Sequence, residues 1–314
     1  MHKPSDVLEI RESILYNKNV KDDIKIASVG DIHISKLVGE KDISNIYNSL
    51  LDENPDYICI LGDVVDSPKE YINDKSVKDL KLLMKLCSSI APTLVILGGH
   101  DFIYEDHKEF PELFDEIGVW REIDNMPNVY VLNDRTYIDE RIVFGGYRQK
   151  RLAYDHISKS RIEDCQSFYN DFQSYPYLYE NLPNDLPKVL LTHSPEPIRD
   201  KNVEKLLSSY DVILTGHYHN GCVPSFLENI YPKGAGIVTP KLSFFPKNAR
   251  GIFKLDSGTY LVYSGGWIKM SNSAPRLLHP LDMLCNRQMD VTTLTSNKEY
   301  IDEKISRKKL LLKK

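Results

Sequence analysis

The sequence of 314 residues predicts an α/β fold, in which strands of a largely parallel sheet are covered by helices. Two observations lead to this prediction. Short apolar runs of strand length recur along the chain, and polar loops and helical patterns follow most of them. The runs are also apolar at successive positions, which is typical of strands buried on both faces. With 41% hydrophobic residues, the chain has enough apolar side chains for one large core.

The predicted elements follow one another in a regular order. Seven apolar runs are predicted to be strands, at residues 24–29, 57–61, 94–97, 129–132, 142–144, 189–191 and 212–214. Helical spacing of apolar residues predicts helices over residues 43–51 and 77–90. Beyond Gly221 the pattern changes to paired strands, over residues 251–255, 260–264 and 289–294. We therefore expect one domain over residues 1–300 and a basic C-terminal tail over residues 301–314.

Two segments leave alternatives open. Residues 148–184 form the main insertion and hold many aromatic residues among polar ones. They are either a cap that lines a substrate pocket or a helical connection that packs its aromatic side chains onto the core. The tail from Arg307 reads RKKLLLKK, and either contacts an anionic membrane surface or is a solvated, frayed end. Eight residues are few for an amphipathic anchor, so the frayed end is favoured.

Composition restricts the partners and the compartment. The net charge of −5 argues against a broad surface for long nucleic acids, which usually shows as a basic stripe. The N-terminus lacks the apolar segment of a signal peptide, and no apolar run approaches the ~20 residues that span a bilayer. Membrane association is therefore not required. Five scattered cysteines without a CxxC pair indicate a reduced protein, and we expect it in the cytoplasm.

Polar clusters follow five of the seven predicted strands. The clusters are Asp31-Ile32-His33, Gly62-Asp63-Val64-Val65-Asp66, Gly98-Gly99-His100-Asp101, His193 and Gly216-His217-Tyr218-His219. Because the carboxyl ends of strands face one crevice in an open α/β sheet, we expect these clusters to converge. Carboxylate oxygens and imidazole nitrogens together suit divalent Mn, Fe or Zn ions. One such side chain alone is usually a cap, but five clusters in this order predict a metal site.

The remaining histidines lie outside this pattern, and we expect them to be surface or structural residues. They are His2, His107, His156 and His279. Glycines precede four of the clusters, and we expect them to let the backbone turn sharply off each strand.

The order of these clusters resembles that of the calcineurin-like metallophosphoesterases, over residues 24–220. The resemblance implies a four-layer α/β/β/α sandwich with two divalent metal ions, which hydrolyses a phosphate ester by a metal-bridged hydroxide. Residues 265–294 resemble the YkuE-like subgroup of bacterial phosphoesterases. The substrate expected is a small phosphodiester or phosphomonoester, chosen by the loops at residues 148–184 and 221–248. Cations at or just beyond the second loop are candidates to meet the phosphate, namely Lys233, Lys241, Lys247 and Arg250.

The resemblance also implies a role for each cluster. Metal one would be held by Asp31, His33, Asp63 and His219. Metal two would share Asp63 and add His193 and His217. His100 would stand near the leaving group as general acid or as an electrostatic partner to the developing charge, and Asp66 would orient it or support its charge. Gly99 and Asp101, on either side of His100, would lie against the substrate.

One position departs from the family pattern. Gly99 stands where the family has an asparagine that binds metal two. Water, or another side chain, would fill the gap, or the second site would be nearly empty. An alternative function follows, that of a non-catalytic or weakly active protein that binds metal and phosphate. A copy that has lost its function is a further alternative.

Overall fold

Two β-sheets stacked face to face organise the chain. The computed structural model describes residues 4–102, 116–149, 153–154, 168–199, 201–239, 243–268, 279–300 and 304–312. Its strands are β1 (Val7–Tyr16), β2 (Ile24–Val29), β3 (Tyr57–Leu61), β4 (Thr93–Ile96), β5 (Val129–Val131), β6 (Arg135–Ile138), β7 (Val143–Tyr147), β8 (Lys188–Thr192), β9 (Val212–Thr215), β10 (Gly251–Lys254), β11 (Tyr260–Tyr263), β12 (Arg287–Thr295) and β13 (Lys304–Leu311). The first sheet has the order β13-β1-β12-β2-β3-β4-β5, and the second has the order β10-β11-β9-β8-β7-β6.

Both sheets are mixed, and each contains a run of parallel strands. In the first sheet, β2, β3, β4 and β5 pair in parallel. In the second sheet, β7, β8, β9 and β11 do the same. All five predicted clusters therefore follow parallel strands. The carboxyl ends of these strands lie at one edge of each sheet.

Helices cover the outer faces of the two sheets. The helices are α1 (Glu40–Glu53), α2 (Asp74–Ser88), α3 (Glu116–Asp124), α4 (Lys201–Leu207) and α5 (His279–Leu284), and residues 168–173 are also helical. The alternating side chains of β2 separate two cores, since Ile26 packs between the sheets and Ala27 packs on the helical side. On α1, Ile43, Ile46 and Leu50 share the buried face. The predicted four-layer α/β/β/α sandwich is confirmed.

The C-terminal tail is part of the first sheet. Sequence analysis favoured a solvated, frayed end, and this was wrong for β13, which pairs antiparallel with β1 at the sheet edge. Opposite charges accompany the pairing, because the Arg307 guanidinium lies 3.4 Å and the Lys309 ammonium 3.5 Å from the carboxylate of Glu9. Glu9 is buried, so these cations compensate a charge that would otherwise be costly there.

The described part of the insertion packs on the outer core of the second sheet. Phe168, Phe172 and Leu178 are buried there beside Tyr147 of β7. These described side chains therefore cover the outer core of the second sheet. Residues 150–152 and 155–167 of the insertion, together with His2, His107 and His156, lie outside the described residues. Across the described ranges, every helix is too short or too polar to cross a bilayer.

Candidate metal centre

The five predicted clusters converge at the facing edges of the two sheets. β2, β3 and β4 deliver three of them from the first sheet, and β8 and β9 deliver the other two. Backbone hydrogen bonds join neighbouring loops. The N–H of Asp31 donates to the carbonyl of Gly62 at 2.9 Å, and the N–H of His33 donates to that of Asp63 at 3.0 Å. In the second sheet, the N–H of Gly216 donates to the carbonyl of His193 at 2.9 Å. The loops therefore form one framework.

The six predicted ligands form two buried clusters of three. The first cluster is Asp31, His33 and His219, and the second cluster is Asp63, His193 and His217. Within each cluster, one possible ligand atom per residue lies within 4.8 Å of the others. The clusters adjoin each other, because Nε2 of His193 lies 3.0 Å from Oδ2 of Asp63 and 3.8 Å from Oδ1 of Asp31. The residues of the two clusters would therefore hold two ions next to each other.

Backbone carbonyls orient two of the imidazoles. Nδ1 of His193 lies 2.6 Å from the carbonyl oxygen of Leu61, and Nδ1 of His219 lies 2.8 Å from that of Ile268. A carbonyl can only accept, so each Nδ1 carries the proton. The Nε2 atom of each ring is then the one available to a metal, as in most protein metal sites.

The surroundings of His33 indicate whether the site fits a cation. Its two ring nitrogens are buried without a hydrogen-bond partner in the described structure. Burial, and then the neighbouring His100, lowers the pKa of His33 well below its ordinary value. A neutral imidazole without a partner inside a protein is costly, whereas it is a good ligand for a divalent ion. The donor set therefore fits a metal pair, with hard oxygens and borderline nitrogens.

Asp63 and His193 influence each other's charge. Burial is the largest single influence and opposes the charged form of both residues, but their mutual attraction together with other neighbours outweighs it: His100 adds to it at Asp63, and Asp31 adds to it at His193. The pKa of Asp63 consequently lies well below its ordinary value, and the pKa of His193 is raised to about 9. In the absence of metal the two form a buried ion pair, and a metal ion at His193 has to displace a proton.

Five of the six ligands have left-handed backbone conformations. Their φ angles are 50° at Asp31, 53° at His33, 49° at Asp63, 65° at His217 and 46° at His219. Residues other than glycine rarely adopt this region, and where they do it is often at functional sites. The glycines before the clusters were expected to make the turns, but only Gly62, with φ of 83°, has a positive φ. The turns are made largely by the ligands themselves.

His100 lies beside the first cluster, and Asp66 contacts it through its backbone carbonyl, while the charge of the Asp66 carboxylate also raises the pKa of His100. Nδ1 of His100 donates to the backbone carbonyl of Asp66 at 2.5 Å. The Asp66 carboxylate lies 3.6 Å from Nδ1 of His33 instead. The ring of His100 meets the ring of His33 edge-on at 4.8 Å between centroids. Burial opposes the charge on His100, but Asp63 and the Asp66 carbonyl raise its pKa overall.

Asp101 was expected to lie against the substrate, and the structure gives it another position. It is fully buried, and Oδ1 accepts the N–H groups of Val64 and Val65 at 2.9 and 3.0 Å. Oδ2 accepts the N–H of Gly98 at 2.8 Å. The carboxylate thus joins the loop after β3 to the loop after β4. Burial, and then the charge of Asp63, raises the pKa of Asp101 to about 7.

Gly99 is half-buried next to His100, and a side chain that sequence analysis did not single out covers it. A Cβ atom built on Gly99 would lie 3.0 Å from Cγ of Tyr154. The ring of Tyr154 also lies 5.7 Å from that of His193 and 5.5 Å from that of His217. Tyr154 belongs to the insertion, and nothing in its sequence spacing connects it to residue 99.

A second missed contribution comes from the loop after β11. The N–H of Trp267 donates to the carbonyl of Gly30 at 2.9 Å, and the N–H of Ile268 donates to that of Asp31 at 2.8 Å. Gly266 has φ of 72°, and a Cβ on it would lie 2.9 Å from Oδ2 of Asp31. This loop, residues 265–268, therefore supports the first cluster from the side opposite β3.

Two other predictions concern residues outside the clusters. Arg250 was a candidate phosphate contact, but it is buried, and its guanidinium donates to the carbonyls of Ala235, Tyr231 and Pro232. It therefore organises the loop after β9. His279 begins α5 and is not a member of either cluster. Lys241 lies outside the described residues.

Several known proteins are similar to this chain. An uncharacterized metallophosphoesterase of Helicobacter pylori is 24% identical over 220 residues, which are 69% of this chain and 50% of that protein. One from Campylobacter jejuni is 24% identical over 212 residues, 67% of this chain and 47% of that protein. The chain thus spans about half the length of the curated relatives it matches. A dimetal phosphatase from Danio rerio superposes with a TM-score of 0.39 and 13% identity, covering 77% of this chain and 87% of its own.

The family model for calcineurin-like phosphoesterases matches residues 24–221. This range begins with β2 and ends just after His219, so it contains all six residues of the two clusters. The chain therefore belongs to the calcineurin-like phosphoesterase family.

Proposed function

We propose that this protein hydrolyses a small phosphate ester, a phosphodiester or a phosphomonoester, at a pair of divalent metal ions. One observation carries the proposal, namely the two adjoining buried clusters, whose ligand atoms lie within 4.8 Å of one another in each. Mn, Fe and Zn are the ions that suit carboxylate and imidazole ligands. Such a pair of ions supplies Lewis acidity and a water of lowered pKa when bound.

The residues of the chain bind the ions and transfer a proton. The two clusters hold the ions, and the left-handed loops keep the ligands facing them. His100 keeps a proton on Nδ1 for the Asp66 carbonyl, so Nε2 is the nitrogen that exchanges a proton with the substrate. Its raised pKa favours the protonated form, which is the form that donates to a leaving oxygen. His100 is half-buried, so part of this residue is exposed to solvent.

The test is hydrolysis of bis-p-nitrophenyl phosphate and of p-nitrophenyl phosphate by protein supplied with Mn²⁺. We expect turnover of at least one ester by the wild-type protein and by a His279→Ala variant, since His279 lies outside both clusters. A His33→Ala variant should lose the activity, because it removes a ligand of the first cluster. Absence of turnover with both esters in metal-loaded wild-type protein would refute the proposal.

A specific observation also favours the alternative of a binding protein. Tyr154 covers Gly99, so the second cluster has no ligand from that position. Bound metal and measurable binding of inorganic phosphate, combined with negligible hydrolysis, would support this alternative.

A further inference from the structure

The backbone conformation of Gly99 does not require a glycine at this position. Gly99 is not among the glycines with positive φ, so its backbone is accessible to ordinary residues. The restriction comes from a neighbour. A Cβ on Gly99 would lie 3.0, 3.2 and 3.4 Å from Cγ, Cδ1 and Cβ of Tyr154. The aromatic ring therefore takes the space into which a longer side chain at position 99 would extend.

The same ring touches two ligands of the second cluster. The Tyr154 ring is tilted by 43° against His193 and meets His217 edge-on at 77°. Edge-on and tilted contacts at centroid distances of about 4.5–7 Å are favourable between aromatic rings. Tyr154 thus restricts the rotation of both imidazoles. Asp63, the third ligand of the cluster, makes its own contact with His193.

A short hydrogen-bond network fixes Tyr154 next to His193. The Tyr154 hydroxyl donates to Oε1 of Gln149 at 3.3 Å. The same oxygen accepts the N–H of Ser194 at 2.6 Å, and Nε2 of Gln149 donates to the Ser194 carbonyl at 2.5 Å. The Ser194 hydroxyl donates to the carbonyl of Ala153 at 2.9 Å. The residues adjacent to Tyr154 and to His193 are therefore tied together, and Gln149 is buried between them.

We propose that Tyr154 is a positioning residue of the second cluster, which fills the space left by Gly99 and holds the imidazoles of His193 and His217 in the orientation that binds a metal ion. The proposal rests on the proposed function in that the cluster holds an ion. The ring acts by packing and does not replace a ligand, because its hydroxyl is directed to Gln149. An ion in the second cluster then has Asp63, His193 and His217 as its protein ligands.

The test is a titration of the metal-free protein with Co²⁺, whose visible spectrum reports ligand geometry and whose two binding steps report the two clusters. Tyr154→Ala should weaken the second binding step by about 10- to 100-fold, the usual effect of removing an outer support of a metal ligand. The first step should be unchanged. Tyr154→Phe, which keeps the ring and loses the 3.3 Å hydrogen bond to Gln149, should retain the wild-type affinity and spectrum.

Tyr179→Ala is the matched control, since Tyr179 is also half-buried and packs on the same outer core, against Phe172. It should leave both binding steps unchanged. An unchanged second step in Tyr154→Ala, or an equal loss in Tyr179→Ala, would overturn the proposal. Uptake of a single ion by the wild-type chain would overturn it too. None of these readouts requires turnover, so failure here and failure of the ester assay are separate results.

A double-mutant cycle tests the link to position 99. Gly99→Asn alone should lower the affinity of the second step, because the new side chain displaces the Tyr154 ring. In the Tyr154→Ala background, Gly99→Asn should cause no further loss, since the space is then open, and an added amide oxygen near the cluster should restore affinity in part. Additive effects of the two substitutions would contradict a shared space.

Discussion

Oδ1 of Asp63 accepts the backbone N–H of His100 at 2.8 Å. The carboxylate that belongs to the second cluster therefore also fixes the start of the loop that carries the proposed general acid. Gly98 permits this approach, because a Cβ on it would lie 2.4 Å from the same oxygen. Metal binding and the placement of His100 consequently depend on one side chain.

Asp63→Ala should empty both clusters. The substitution removes a ligand, leaves the protonated His193 without its counter-charge, and releases the N–H of His100. Metal analysis should show less than one ion per chain, against two in the wild-type protein. Retention of two ions would show that Asp63 does not connect the clusters.

His100→Ala should leave the metal content near that of the wild-type protein, because His100 belongs to neither cluster. Turnover should fall by ~10²–10⁴-fold, the usual range for a positioned acid. The measurements are metal content and steady-state hydrolysis of the same ester. His279→Ala serves as the histidine control and should change neither. A large loss of metal in His100→Ala would contradict the assigned role.

Asp101→Asn should destabilise the fold and weaken the metal centre indirectly. Both carboxylate oxygens accept backbone N–H groups, so an amide nitrogen in either place would face a donor. Leaving a buried donor unsatisfied costs about 1–3 kcal/mol, to be measured by denaturant unfolding of the metal-free protein. Asp256→Asn, at an exposed turn between β10 and β11, should have little effect. Equal stability of the two variants would refute the supporting role of Asp101.

Gly266→Ala should strain the backbone and, in addition, weaken metal binding by the first cluster. An alanine at positive φ costs roughly 1–2 kcal/mol by itself, and here its Cβ would also lie 2.9 Å from Asp31. Gly258→Ala measures the backbone strain alone, because Gly258 has φ of 91° and a Cβ built on it has no neighbour within 4 Å. Both variants should lower the free energy of unfolding, but only Gly266→Ala should weaken binding of the first ion. Equal metal affinity in both would exclude the contact with Asp31.

The affinity of the second cluster should rise with pH up to about 9. The pKa of His193 is about 9 in the metal-free protein, so below that pH an ion has to expel its proton. His33 has a lowered pKa and is already neutral near pH 7, so the first cluster binds with less competition from protons. Titration calorimetry in buffers of different ionisation enthalpy measures the protons released at each step. Equal proton release in both steps would contradict this assignment.

Sequence patterns predicted the centre of each sheet well, because a fully apolar strand that ends in a polar cluster is a strong local signal. The strands that were missed carry charge. β1 contains Glu9 and Arg11, whose charges are typical of exposed loops although both residues are buried. Arg11 is compensated by Asp290, 2.6 Å away on the adjacent β12, and Glu9 by β13. No local pattern reveals such partners, since they lie almost three hundred residues away.

The ligands could be predicted from sequence because each follows a strand, and strand ends meet at one edge. The positions of the residues that contact these ligands could not be predicted in the same way. Asp101 and Asp66 both lie in the polar clusters that follow the predicted strands. The direction of their carboxylates depends on which groups of the neighbouring loops lie near them, and sequence does not show this. Tyr154 and Gly266 reach the site from remote segments, and only the folded chain brings them there.

The left-handed ligands also affect how a substitution at the site changes the stability of the chain. Each of the five residues opposes its own conformational preference, at a cost of order 1–3 kcal/mol. Glycine in its place relieves that strain, but at Asp63 it also removes the acceptor of the His100 N–H and the counter-charge of His193. A ligand residue therefore contributes both strain and stabilising contacts, and its replacement by glycine changes the two in opposite directions.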